Sequence, residues 1–300
     1  MKSGYIAIIG KPNAGKSTLM NALIGEKLSI ITNKPQTTRK RILGILTKED
    51  YQIIFLDTPG ILNPEYLLQE KMLGFVYESV RDADIMLFLI DVSYDPDGKR
   101  TFNDERVLEY LKNKKQKKIL LLNKIDLVQE QNVAKLVNEP SLKKIFDKII
   151  PVSAALSINL DQVIATLLEF LPEHPKYFPD DDLSDENERF FVSEIIREKI
   201  FELYKEEVPY STEVIIEEFK EREKGKDYIR AAVIVERASQ KPIIIGNNGA
   251  AIKKLGKYAR EEVEKFLGRA VFLELFVKVK EKWRSDNNML KSFGYTVSDD

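Results

Sequence analysis

Residues Tyr5 to Thr18 read YIAIIGKPNAGKST, and the reading of the last nine, GKPNAGKST from Gly10 to Thr18, decides the fold of the first half of the chain. A short apolar run enters a glycine-bounded loop, and a helix-like stretch, KSTLMNALIG, leaves it. Strand, loop and helix in that order are the context in which a GxxxxGK[ST] pattern becomes a phosphate cradle and not a chance turn. In such a loop the backbone amides between Gly10 and Gly15 turn inward on phosphate, and the following helix adds the positive end of its dipole. Lys16 would reach the β- and γ-phosphates, and the Ser17 hydroxyl would be a Mg²⁺ ligand. The pattern alone leaves kinases, ATPases and GTPases open.

Working outward, the stretch from Tyr5 to about Leu171 alternates apolar runs (YIAIIG, RILGIL, YQIIFLD, DIMLFLID, KKILLLN, KIIPVS) with helix-length amphipathic segments. That alternation predicts an α/β domain, a mostly parallel sheet with helices on both faces. Only RILGIL and YQIIFLD are joined by a tight link, TKED, so that pair is expected to be antiparallel. Residues 172–185, PEHPKYFPDDDLSD, combine three prolines with an acidic cluster and no apolar periodicity. They mark a domain boundary. Beyond them the order changes to helix, two strands, a short apolar piece, a GxxG turn, a helix and a strand, which predicts a small α+β domain. The expected division is 1–172, a linker at 173–185, and 186–300 with a C-terminal extension.

Composition narrows the chemistry. A chain of 300 residues fits about two domains. With 47 Lys and Arg against 48 Asp and Glu the net charge is −1, so nucleic-acid binding would need a local patch. There is no cysteine, which excludes disulfides and thiolate chemistry, and the single His174, between prolines, reads as linker surface. No leader precedes Tyr5 and no apolar run approaches membrane-spanning length, from which a cytoplasmic protein is expected. The lysine-rich KNKKQKK at 112–118 reads as the solvated end of a helix.

Three later loops choose among the nucleotide enzymes. DTPG, Asp57 to Gly60, ends a strand with a carboxylate that can hold Mg²⁺ through water and a glycine amide that can approach the γ-phosphate. LLLNKID and PVSAA place Asn123, Lys124 and Asp126, and then Ser153 and Ala154, at the carboxyl edge of the same sheet. A fixed carboxylate at Asp126 accepts from N1 and N2 of guanine, where adenine offers neither hydrogen, and discriminates by ~10⁴. The Ala154 amide would serve guanine O6, and Asn123 would brace the loops.

GKPNAGKS, PQTTR, DTPG, NKID and SAA, in this order, resemble the five motifs of the translation-factor class of P-loop GTPases. The resemblance implies binding of GTP or GDP with Mg²⁺. It carries nucleotide contacts to Gly10, Asn13, Ala14, Gly15, Lys16, Ser17, Thr18, Asp57, Gly60, Asn123, Lys124, Asp126, Ser153, Ala154 and Ala155. It makes Thr38, with Thr37 the near alternative, the threonine that closes on Mg²⁺ and the γ-phosphate beside Ser17 and Asp57, and gives Lys16, Thr38, Gly60 and Asn13 catalytic roles. Where Ras-type enzymes have a water-orienting glutamine after the DxxG glycine, this chain has Ile61, which can neither orient water nor accept a proton. Similar hydrophobic replacements mark a bacterial branch whose members often carry an asparagine at the place of Asn13, holding K⁺ against the phosphates. Slow or assisted hydrolysis follows.

In the second half, IIIGNNGAAIKKLG places a GxxG at Gly246 to Gly249 directly before a helix, where a nucleic-acid backbone can approach closely. From Arg237 to Arg260 there are six basic residues, Arg237, Lys241, Lys253, Lys254, Lys257 and Arg260, and no acidic one. The element order is similar to the prokaryotic KH arrangement, although Asn247 and Asn248 stand where many KH loops have a basic residue. RNA contacts are expected at Lys241, Gly246, Asn247, Asn248, Gly249, Lys253, Lys254 and Lys257. A GTPase domain joined to a C-terminal KH domain resembles the Era family of bacterial ribosome-assembly GTPases over essentially the whole chain. That resemblance implies binding to the 3′ end of small-subunit ribosomal RNA, a role at the small ribosomal subunit, and peripheral association with the inner membrane. Two rivals are an RNA-binding module whose nucleotide domain hydrolyses negligibly, and a metabolic kinase, against which NKID speaks.

Overall fold

A computed structural model describes residues 1–112 and 116–297, so part of the lysine run at 112–118 lies outside the described residues. The described chain separates into two compact units, Met1–Glu65 with Gln69–Asp185, and Tyr66–Leu68 with 186–297.

The first unit runs β1 (Lys2–Gly10), α1 (Lys16–Ile24), β2 (Ile42–Thr47), β3 (Tyr51–Asp57), α2 (Leu67–Asp82), β4 (Ile85–Asp91), α3 (Lys99–Phe102), α4 (Glu105–Leu111), β5 (Lys117–Asn123), α5 (Glu130–Val137), α6 (Pro140–Lys143), β6 (Lys148–Val152) and α7 (Leu160–Phe170). The strands form one sheet in the order β2-β3-β1-β4-β5-β6. Only β2 and β3 pair antiparallel, as their tight link predicts. All other pairs are parallel. Strands covered on both faces bury every side chain, which is why they read as unbroken apolar runs. Ala7, Ile9, Phe88, Ile90, Leu120 and Leu122 pack with Val76, Val107 and Val133 of α2, α4 and α5 in one layer. Ile6 and Ile8, equally buried, are left for the other face, where α1 and α7 meet. The chain turns from one side of β1 to the other between β3 and β4, and this reversal opens a crevice at the carboxyl end of β1.

Residues 173–185, expected as a linker, are tied to the first unit. Gln52 Oε1 accepts from the amides of Tyr177 (2.7 Å) and Phe178 (3.0 Å), and its Nε2 donates to Phe178 O (2.9 Å). Leu183 O accepts from Ile45 N of the edge strand β2 at 2.8 Å, and Ser184 Oγ donates to Leu43 O at 2.6 Å. An edge strand has unpaired backbone groups, and this segment covers some of them.

The second unit runs α8 (Glu188–Leu203), β7 (Thr212–Lys220), β8 (Asp227–Val235), α9 (Gln240–Ile245), α10 (Ala250–Leu267), β9 (Val271–Val279) and α11 (Asn287–Ser292). Its sheet has the order β7-β8-β9, with the first pair antiparallel and the second parallel. The parallel pair requires a crossover, which α9 and α10 supply. The short apolar piece of the sequence is helix α9, anchored by Ile244, which packs into the core. The C-terminal extension is pinned by Trp283 Nε1 to Ser211 O (3.0 Å) and Tyr295 Oη to Glu213 (2.5 Å). Among the described residues no helix is long and apolar enough to cross a membrane.

Candidate nucleotide and RNA sites

The glycine loop leaves β1 in backbone conformations that only certain residues adopt. Gly15 has φ +96°, and a Cβ there would run into Nδ2 of Asn123. Asn13, at φ +62°, takes a left-handed turn that asparagine tolerates. The loop thus closes on itself, and Lys16 is drawn in: 6% exposed, its Nζ donates to the carbonyls of Lys11 (3.0 Å) and Gly10 (3.3 Å). Burial pulls its pKa down to about 8, against the opposing pull of the Asp57 carboxylate. An ammonium held this way lacks an anionic partner at hydrogen-bond distance, and a phosphate would supply one.

Three oxygens converge beside it. Ser17 Oγ donates to Asp57 Oδ2 at 2.6 Å and lies 2.9 Å from Thr38 Oγ1. Asp57 is fully buried, its Oδ1 has no partner, and burial raises its pKa while the Ser17 bond and the Lys16 charge oppose the rise. Hard oxygen donors with a single orphaned carboxylate oxygen suit Mg²⁺, which takes one or two carboxylates and fills its shell with water and phosphate. Thr37 is occupied within its own loop, its Oγ1 donating to Lys34 O at 2.8 Å and lying 2.7 Å from Thr32 Oγ1. The geometry therefore separates the two threonines. Asn13, Lys16, Ser17, Thr38, Gly60 and Lys124 line one cavity, with Thr18 and Gln36 also on its wall. A Cβ on Gly60 would collide with the backbone of Pro12, so only glycine lets this loop approach the cradle. Ile61 points away: it is 3% exposed and packs with Ala7, Ile9 and Val76. Burying such a side chain contributes ~1.5–3 kcal/mol, which explains the residue without any catalytic role.

The loops at the other end of the crevice are braced by one side chain. Asn123, 2% exposed, donates from Nδ2 to Ala14 O (2.8 Å) and accepts on Oδ1 from the Ala154 amide (3.0 Å). The brace expected of Asn123 thus joins the phosphate loop to the last loop. It also occupies the Ala154 amide, expected for guanine O6, because a buried amide takes whichever acceptor lies nearest. Exposed Ala155 is next in the chain. Lys124, at φ +68°, pairs with Asp91 at 2.5 Å. Burial would raise the Asp91 pKa, but the bonds from Lys124 and Ser93 hold it below the usual range. Asp126 lies exposed on a single turn, Ile125–Leu127. Ser153 is buried and its Oγ accepts from Leu156 N at 3.2 Å, shaping the last loop.

In the second unit Gly246 (φ +73°), Asn248 (φ +49°) and Gly249 (φ +77°) turn the chain from α9 into α10. A Cβ on Gly246 would strike Ala251. Helix α10 begins at Ala250 without a side-chain cap, leaving its first amides for another acceptor. Lys241, Asn247, Asn248, Lys253, Lys254 and Lys257 are exposed around this turn. The structure adds a groove that sequence reasoning missed, lined by Ile252, Gly256, Leu273 and Leu275 with Lys253 and Arg260 on its rim. Leu273 and Leu275 read as ordinary strand residues, and only the apposition of β9 with α10 makes them a floor.

The fold and the loops define a P-loop GTPase domain followed by a KH domain. A family model described as a 50S ribosome-binding GTPase matches residues 5–124, and a KH-domain model matches residues 207–284. The chain is 45% identical over 294 residues to GTPase Era of Clostridium botulinum, covering 98% of each, and 46% identical over 295 residues to GTPase Era of Clostridium tetani, covering 98% of this chain and 99% of the other. A crystal structure of Era in complex with MgGDPNP and nucleotides 1506–1542 of 16S ribosomal RNA superposes with a TM-score of 0.93 at 42% identity, over 98% of this chain and 99% of that one. A variant of Aquifex aeolicus Era bound to GDP·AlF4⁻ matches equally well. The chain belongs to the Era family of GTPases.

Proposed function

We propose that this GTPase is a nucleotide-controlled switch that binds the 3′ region of small-subunit ribosomal RNA through its KH domain and acts in maturation of the small ribosomal subunit. The observation that carries the nucleotide half is the meeting of Ser17, Thr38 and Asp57 oxygens beside the buried Lys16. The RNA half is supported by the glycine turn, its exposed lysines and the apolar groove beside it. Residues 1–172 and 186–300 are the working domains, with 173–185 joining them, and the protein works in the cytoplasm with any inner-membrane contact peripheral.

In this reading the amides of the Gly10 to Ser17 loop other than Pro12, with Thr18, cradle the phosphates, and the Lys16 ammonium leaves its carbonyl partners for the β- and γ-oxygens. Ser17 and Thr38 hold Mg²⁺ directly and Asp57 through water; the ion neutralises charge on the β- and γ-phosphates. The Gly60 amide meets the γ-phosphate. Asp126 reads N1 and N2 of guanine, Asn123 holds the loops in register, Lys124 flanks the base, and the Ala155 amide takes over O6 from Ala154. Asn13 donates from Nδ2 to Asn33 O at 3.4 Å, and its side-chain oxygen would serve a K⁺ ion placed where negative charge builds between the β- and γ-phosphates. Lys241, Asn247, Asn248, Lys253, Lys254 and Lys257 hold the RNA backbone, while Ile252, Leu273 and Leu275 receive bases. Crosslinking followed by sequencing of the bound RNA tests the reading: enrichment of the 3′ end of small-subunit RNA supports it, and enrichment of unrelated RNA refutes it.

A further inference from the structure

We propose that Gln36 orients the attacking water in place of the absent glutamine, and that Gln69 is the residue that positions it. The proposal rests on the reading of residues 30–38 as the segment that closes over the nucleotide.

Ile61 cannot turn toward the cavity without emptying a core site, since its side chain packs with Ala7, Ile9 and Val76 and its amide donates to Gly10 O at 3.0 Å. A water-orienting group must come from another polar side chain on the same wall. Most are committed: Ser17 and Thr38 to the Asp57 cluster, Thr37 to Thr32 and Lys34, Asn13 to Asn33, Lys124 to Asp91. Gln36 also lines the cavity, two residues before Thr38. Its Oε1 accepts from Nε2 of Gln69 at 3.0 Å. Gln69 is 4% exposed at the start of α2, and its own Oε1 accepts from Glu65 N at 2.7 Å. Flipping the buried Gln69 amide would break both its bonds, and flipping that of half-buried Gln36 would set two donors face to face, so the Gln36 carboxamide is held in one orientation.

A carboxamide oxygen has two lone pairs. Gln69 uses one, and the other can accept a hydrogen of the attacking water while Nε2 of Gln36 donates to a γ-phosphate oxygen. The water oxygen then bonds to the γ-phosphorus, and the bond from that phosphorus to the bridging oxygen breaks with its electron pair going to GDP. The water proton passes to a γ-phosphate oxygen. Gln36 takes no proton, so an ordinary amide suffices.

Single-turnover hydrolysis in K⁺ tests this with Gln36→Ala and with Gln36→Gly, the latter because glycine accepts the φ of +59° at this position without strain. Both should be slower by ~10²-fold, the cost of losing an aligned nucleophile. GDP affinity should stay within about threefold, and affinity for GDP·AlF4⁻ should fall in parallel with the rate. Gln69→Ala, and Gln69→Glu, which keeps the acceptor for Glu65 but loses the donor to Gln36, should show the same split at about tenfold. Wild-type turnover in both Gln36 variants overturns the proposal. A loss of GDP affinity equal to the loss of rate also overturns it, because Gln36 would then shape the loop. Failure of the loop-closure reading shows elsewhere: Thr38→Ala would leave GTP-analogue affinity and turnover unaltered, whatever the Gln36 variants do.

Discussion

The glycine loop of the first unit and the GxxG turn of the second are both proposed phosphate sites, yet they are built in opposite ways. Around the first, Lys16, Asp57, Asn123 and Ser153 are all buried and held by bonds within the site. Around the second, Lys241, Asn247, Asn248, Lys253, Lys254 and Lys257 are exposed. A buried polar group left unpaired costs its full desolvation, so the first site is expected to discriminate sharply between ligands. Exposed cations attract any phosphate backbone and are screened by salt, so the second contributes affinity more than choice, and choice must come from the groove beside it.

The expected effects are graded in size. The largest belongs to Asp126→Asn, which sets an amide donor against the guanine hydrogens, although Asp126 itself is exposed until a base covers it. GTP affinity should fall by ~10⁴ while xanthosine triphosphate becomes the better ligand, read by competitive nucleotide titration. Unchanged GTP affinity would remove Asp126 from the base site.

Next is Lys16. Its ammonium titrates at about 8 in the folded protein, against an ordinary 10.5. Between these values the unfolded chain keeps the proton that the folded one has lost, so nucleotide-free protein should gain stability as pH rises from 8 toward 10.5. Below pH 8 the buried charge costs about 3 kcal/mol. Lys16→Met should therefore stabilise the nucleotide-free protein at pH 7 by up to about that amount and abolish nucleotide binding. Denaturant unfolding at pH 7 and pH 9 checks both signs, the wild type gaining about 1 kcal/mol relative to the variant over that interval.

Changing both Asn247 and Asn248 to Asp should weaken RNA binding by roughly tenfold to thirtyfold and flatten its dependence on salt, with GTP turnover of the protein alone unaltered. Retained wild-type affinity in a filter or anisotropy assay would move the RNA to another surface. The smallest effect expected is ionic. Hydrolysis should run severalfold faster in K⁺ than in Na⁺ at matched ionic strength, and Asn13→Ala should erase the difference with GDP affinity nearly intact. Equal rates in both salts, with and without RNA, would leave the charge to be supplied by a partner.

Local pattern and spacing determined much of this protein. Apolar runs of strand length, glycines at turns and the residue types of five loops depend on neighbours along the chain, so the order of strands and helices, the antiparallel β2–β3 pair and the loops meeting at one sheet edge were legible before any coordinates. Which hydrogen bond each polar group makes was not legible, because it depends on residues distant in sequence. The Ala154 amide is taken by Asn123, 31 positions away, and Thr38, not Thr37, lies within hydrogen-bond distance of Ser17, 21 positions away. Ile61, conspicuous in sequence as a missing glutamine, is a core residue once packed. The docking of 173–185 on β2 needed an unpaired strand edge, and the groove of Ile252, Leu273 and Leu275 needed a strand laid against a helix. Tertiary structure decided these because burial and partner choice are set by the whole packed chain, whereas secondary structure is set largely by a few adjacent residues.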